Sequence, residues 1–381
     1  MSLQGLKSYD PTDTLAALEK LLQPLGGMPA FVKPGQKVLI KPNLLAGKAP
    51  DKAVTTHPEI VRAVIKLAQK AGGEVVLGDS PGIGSPENVA RKSGIMAVVE
   101  ETGSRFVPFE TSVSIRSTSG TFQQFEVAQE ILAADVIINL PKLKTHQMMG
   151  LTCGVKNMFG AVVGLRKPRL HLQAGTDKAF FALMLLELCE ILAPALTIVD
   201  AVIGMEGEGP GSGDPVQIGA LLAGSHPQAV DTVATELVGL LPHQIWTQQQ
   251  AIDTKRPYTH LQQLELCGDP LEFLKINNFR PAKMTDVNFG LKGGLKHYLR
   301  NALTARPAPD HKLCKRCNDC VTHCPAEAMK IVHNKLLIDY NSCIRCFCCQ
   351  ELCPHGALET KQGILLRLHN VLQRKTRPDT R

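Results

Sequence analysis

The sequence is poor in the residues that most readily announce a ligand. Its 381 residues include one Trp and four Tyr. Stacking platforms for single-stranded bases are therefore scarce, and nucleic acid is an unlikely partner. Long apolar runs are also missing. The most apolar stretch, 179–192, is broken by Glu187 and Glu190 and is too short to cross a bilayer. It is expected to be a buried helix. The opening MSLQGLKSYDPTDTL has no basic-then-apolar leader. Gly82 and Gly84 do not complete G-x-G-x-x-G, because Glu87 holds the last position, and no phosphate-loop lysine follows. A nicotinamide or nucleoside triphosphate site is poorly supported on that ground.

Cysteine, by contrast, is plentiful, with 12 residues. Eight of them form two copies of C-x2-C-x2-C-x3-C-P. The first copy is Cys314, Cys317, Cys320, Cys324 and Pro325; the second is Cys343, Cys346, Cys349, Cys353 and Pro354. A cubane cluster needs four converging thiolates, and this run is the bacterial pattern that holds [4Fe–4S] clusters. Zinc sites need only paired cysteines and no third at fixed spacing. Disulfides need an oxidising, secreted setting, so the expected compartment is the reducing cytoplasm. The formal charge of +7 falls to about +3 once two oxidised clusters of roughly −2 each are counted.

The repeat extends beyond the cysteines, since CPAEAM at 324–329 matches CPHGAL at 353–358. Between the halves, MKIVHNKLLIDY alternates as two short strands around a turn near Asn334. The segment 306–362 thus resembles a bacterial-type, two-cluster ferredoxin module of α+β fold. That resemblance implies that the fourth cysteine of each run serves the other cluster. One cluster would take Cys314, Cys317, Cys320 and Cys353, and the other Cys343, Cys346, Cys349 and Cys324. Cys348, beside Cys349, breaks the repeat and is expected to be a free buried thiol.

The first three hundred residues alternate strands with helices. KVLIKPNLL at 37–45, EVVLGDSPG at 74–82, ADVIINLPKLKTH at 134–146 and LTIVDAVIGMEGEGPGSGDP at 196–215 start as apolar strands. The stretches 57–73 and 226–241 have helical periodicity, with Ile60, Val61, Val64, Ile65 and Ala68 on one face. This pattern predicts an α/β domain with a mostly parallel sheet over 1–305. A basic linker is expected near 285–310, and a basic helix or tail at 363–381. With GLTCGVKNMFG added, these segments resemble domain-of-unknown-function family 362, often fused to ferredoxin modules. That resemblance implies an architecture but no activity.

In such sheets ligands collect at the carboxyl ends of the strands. Lys41, Asn43, Lys142, Lys144, His146, Lys156 and Asn157 gather there, as a pocket for a small anionic substrate or as a solvated basic face. His146 is a candidate acid. Glu206, in the loop at 204–215 with its five glycines, is a candidate proton donor, although that loop could equally be a surface hairpin. Asp79 could bind a hydroxyl or close an Asx turn. Thr55 or Thr56 could cap the helix after His57. The expectation is an iron–sulfur reductase that takes single electrons from a partner protein. The alternatives are a non-enzymatic electron carrier or iron–sulfur partner, and a non-redox α/β enzyme whose clusters are structural or sensing.

Overall fold

A computed structural model of the protein describes residues 1–164, 166–283, 285 and 300–368. Residues 286–299 of the expected linker and 369–381 of the expected tail lie outside them. The large domain is built on a ten-stranded sheet. Its centre comprises β2 (Lys37–Pro42), β3 (Glu74–Leu77), β4 (Arg105–Phe106), β7 (Val136–Leu140) and β10 (Leu196–Glu206). These strands pair in parallel in the order β4–β3–β2–β7–β10. Valine, isoleucine and leucine fill their buried positions, as a strand covered on both faces requires.

One edge departs from parallel pairing. β11 (Asp214–Gly224) runs back against β10, and β1 (Ser2–Gly5) runs against β11. The glycine-rich segment between Glu206 and Asp214 is therefore the tip of a hairpin. β12 (Cys267–Gly268) finishes that edge beside β1. The long strand expected over 134–146 breaks at Pro141, which has no N–H to give a ladder. Its second half becomes β8 (Lys142–His146), which pairs with β10 and with β9 (Gly150–Thr152). β5 (Ser112–Arg116) and β6 (Gln124–Ala128) form a separate hairpin.

The helix Pro58–Lys70 buries Ile60, Val61, Val64, Ile65 and Ala68 against the sheet. Each large aliphatic side chain so covered contributes about 1.5–3 kcal/mol. Its cap is His57, whose Nδ1 accepts from the Glu59 N–H at 3.2 Å. Neither of the threonines expected for that role supplies the cap. The Thr56 hydroxyl instead joins two strand ends, accepting from Asn43 N–H and donating to Leu140 carbonyl. The apolar stretch near 179–192 is the buried helix Lys178–Leu192.

The C-terminal domain is small. β13 (Ala305–Pro309) pairs antiparallel with β16 (Leu358–Gln362), and β14 (Met329–Val332) with β15 (Lys335–Ile338). His333 and Asn334 take positive φ at the β14–β15 turn, where the alternation placed it. No helix among the described residues is long and apolar enough to cross a membrane.

Candidate functional site

The carboxyl ends of the central strands deliver their polar residues to one side of the sheet. Lys41, at the end of β2, pairs with Asp79, beyond β3, at 2.8 Å. Asp79 also accepts from the Leu44 N–H at 2.8 Å. Gly160 lies directly over this pair, and a Cβ there would collide with both side chains. Burial lowers the Lys41 pKa, and Asp79 opposes that fall. The pair is thus sealed and carries little net charge.

A line of amides runs beside it. Asn139 Nδ2 donates to Gly154 carbonyl, Asn157 Nδ2 to Asn139 Oδ1, and Asn43 Nδ2 to Asn157 Oδ1. This fixes Asn43 Oδ1 towards Lys144 Nζ, which donates to it at 2.7 Å. Burial pulls Lys144 down to about 7. His146, also from β8, accepts at Nδ1 from the Met148 and Met149 N–H groups, both at 3.1 Å. Its proton therefore sits on Nε2, which faces the Glu351 carboxylate in close contact. Burial, then Lys156, lowers His146 to about 4. Burial works against the Glu351 charge, but His146 and Lys156 outweigh it and hold that carboxyl below its usual range.

Glu351 belongs to the small domain, between Cys349 and Cys353. Its meeting with His146 marks a cavity of about 270 Å³ between the domains. The large domain contributes Asn43, Asp79, Lys144, His146, Lys156, Lys167 and His171. The small domain contributes His323, Cys348, Glu351 and Leu352. Lys156 Nζ stands 5.5 Å from the Phe159 ring centre. Lys167, half-buried, donates to the Ser80 and Pro81 carbonyls and is lowered to about 7 by burial. Thr152 Oγ1 and His171 Nδ1 are buried there without a hydrogen-bond partner among the described residues. The lining thus offers three ammonium groups and two unpartnered polar atoms, which suits an anion.

The cysteine runs sit behind this wall. Cys314, Cys317, Cys320 and Cys353 line one small cavity. Burial raises Cys320 to about 11, with Cys353, Cys317 and Cys314 adding to the rise. Burial also raises Cys349, followed by Cys346, Cys343, Cys320 and Cys324. Among the described residues no three His, Cys, Asp or Glu side chains converge on a single-ion position.

Residues 38–236 match the family model described as Domain of unknown function (DUF362). The chain belongs to the DUF362 family. Residues 306–354 match the 4Fe-4S dicluster domain, so this DUF362 protein carries an iron–sulfur module of the 4Fe–4S kind. It is 38% identical over 302 residues to the thylakoid-associated protein sll1697 of Synechocystis sp., covering 78% of this chain and 94% of that relative. Its fold is similar to lactate racemase apoprotein from Thermoanaerobacterium thermosaccharolyticum, with a TM-score of 0.40, 15% identity and coverage of 59% of this chain and 54% of that one. A structural-genomics protein from Thermotoga maritima gives a TM-score of 0.37 at 14% identity, covering 59% of this chain and 57% of that one. The DUF362 chain spans little more than half of either solved protein.

Of the residues expected at the site, Asn43, Asp79, Lys144, His146, Lys156 and Asn157 line the cavity, and Lys41 supports it through Asp79. Lys142 does not line it. Its ammonium pairs with Asp200 at 2.8 Å and donates to the Tyr9 hydroxyl at 2.8 Å, away from the cavity. Asp200 also accepts hydrogen bonds from the Tyr9 hydroxyl and the His57 N–H, so Lys142 neutralises a buried structural carboxylate. Glu206 is likewise displaced, because both its oxygens accept from Arg280 at the base of the hairpin. Glu206 is not among the residues that line the cavity. Lys167, His171 and Glu351 were not anticipated. The one signal for Glu351 is the imperfect repeat: Thr322 occupies its place in the first run.

Proposed function

We propose that this protein binds two [4Fe–4S] clusters and relays single electrons from a redox partner to a small anionic acceptor held between its domains. Cys314, Cys317, Cys320 and Cys353 would hold one cluster, and Cys343, Cys346, Cys349 and Cys324 the other. When bound, each cluster gains or loses one electron at a time. The reading rests on one observation: Cys348, Glu351 and Leu352 of the second run form a wall of the same cavity as Lys144, His146, Lys156 and Lys167.

In this proposal Lys156 and Lys167 bind the anion's charge, and Lys144 is held behind them by Asn43. His146 keeps its Nε2 proton on the Glu351 carboxylate and holds it in place, and the proton that a reduced acceptor needs would come from the Lys167 ammonium, which burial lowers to about 7. Phe159 and Leu352 exclude water from the apolar part of the ligand, which strengthens each polar contact. Lys142 and Glu206 have structural roles. The reducing cytoplasm is the compartment that suits eight thiolates.

The test is anaerobic and uses a chemical reductant. Fully loaded protein is reduced, freed of reductant and mixed with a panel of small carboxylates and phosphate esters. At least one should restore the oxidised visible spectrum, and Lys156→Met should slow that recovery about tenfold by removing a charge-assisted contact. If no anion reoxidises the protein, and none is found bound after anaerobic purification, the reductase reading is abandoned for that of a carrier without a substrate.

A further inference from the structure

The two cysteine loops share a backbone but not a setting. Loop 311–318 is exposed except at Cys314, with Cys317 itself open to solvent. Loop 343–349 is buried except at Ile344. The first loop carries Lys312, Lys315 and Arg316, all exposed, around Leu313, which is 49% exposed. Among the described residues none of these three cations is ion-paired. The two carboxylates that flank the stretch are engaged locally: Asp310 accepts from the Lys312 N–H at 2.8 Å, and Asp319 lies against Cys317.

We propose that loop 311–318 is the docking face for an acidic one-electron carrier protein. This rests on the electron-relay reading and adds where the partner lands and what its surface is like. Three unpaired cations steer an acidic surface to the loop, and Leu313 gives the encounter an apolar centre. One electron leaves the reduced carrier and one enters this protein at each encounter; no bond forms and no proton moves. The second loop is too buried to meet a partner, with Cys346 and Cys348 packed into the large-domain core and Phe347 against Ala305 and Leu366. Electrons therefore enter by the first run and leave by the second.

The experiment uses the full, cluster-loaded chain and a small acidic [2Fe–2S] ferredoxin as the probe. Calorimetry measures affinity at low and moderate salt, and a zero-length carbodiimide cross-link is mapped to peptides. The wild type should bind, more weakly as salt rises, with cross-links at Lys312 or Lys315. The combined variant K312E/K315E/R316E should bind at least about tenfold more weakly, while K7E/K20E/K66E on the large domain should bind as the wild type does. Iron content and visible spectrum confirm that each variant is loaded. Should the triple variant fail to load, Leu313→Asp asks the same question at one exposed position. Absence of binding by the wild type, equal loss in both triple variants, or cross-links confined to the large domain would overturn the proposal. So would binding of duplex DNA at the loop with no ferredoxin cross-link. The reoxidation assay with chemical reductant needs no docking, so either reading can fail without the other.

Discussion

The two cysteine runs are the same local structure in opposite environments. Arg316 and Arg345 have φ of 58° and 60°, and Asn318 and Phe347, also at equivalent positions, have 74° and 60°. Glu327 and Gly356 repeat the likeness after each run. The side chains diverge where the backbones agree. Asn318 is exposed, a residue that tolerates left-handed φ cheaply. Phe347 accepts the same unfavourable φ and is 1% exposed, packed with Ala305 and Leu366. Asp319 and Thr322 in the first run become Cys348 and Glu351 in the second. The repeat thus supplies two equivalent thiolate loops, and the departures from it attach only the second to the large domain.

The strongest way to break this comparison is at Phe347 and Asn318. Phe347→Ala should cost about 3–5 kcal/mol, because it empties a packed site. Denaturant unfolding followed at the cluster absorbance checks it. A loss below about 1 kcal/mol would mean the second loop is not anchored as described. Next in size is Glu351→Gln, which weakens the His146 contact between domains and should cost about 1–3 kcal/mol. Thr322→Ala at the matching place should be close to neutral.

A third difference concerns pH. Burial lowers Lys144 and Lys167 to about 7, whereas the unfolded chain keeps their protons up to about 10.4. Between those values the unfolded state binds more protons, so these two groups make stability rise with pH. A bound anion prefers the charged ammonium groups, so its affinity should fall across the same window. Thermal melts and ligand titrations from pH 7 to about 9 should therefore move in opposite directions. Parallel trends would remove both lysines from the anion site. The smallest effect is expected at Asn318→Gly, within about 0.5 kcal/mol of the wild type, because glycine suits φ of 74°.

Much of the architecture could be read from short-range patterns. Strand apolarity marked the parallel centre, and the cysteine spacing marked the 4Fe–4S module. Strand ends converge in such sheets, which is why Lys41, Lys144, His146 and Lys156 could be expected together, and they line or support one cavity. The pairings were not legible, since they join residues far apart in the chain. Lys142 resembles its neighbours Lys41 and Lys144 in sequence, and only the fold reveals that Asp200 and Tyr9 claim it. Glu206 looked available until Arg280 reached it. Glu351 was hidden in the other domain, so no pattern within the large domain pointed to it.

The buried second run also bears on how the protein would be loaded. Cys343, Cys346 and Cys349 are 8%, 7% and 9% exposed in the joined chain. Ser212 and Gly211 of the β10–β11 hairpin tip lie against Gly356 and the Glu351 carbonyl. On the proposed two-cluster reading, iron and sulfide would have to reach those thiols before Cys346 and Cys348 pack into the large-domain core.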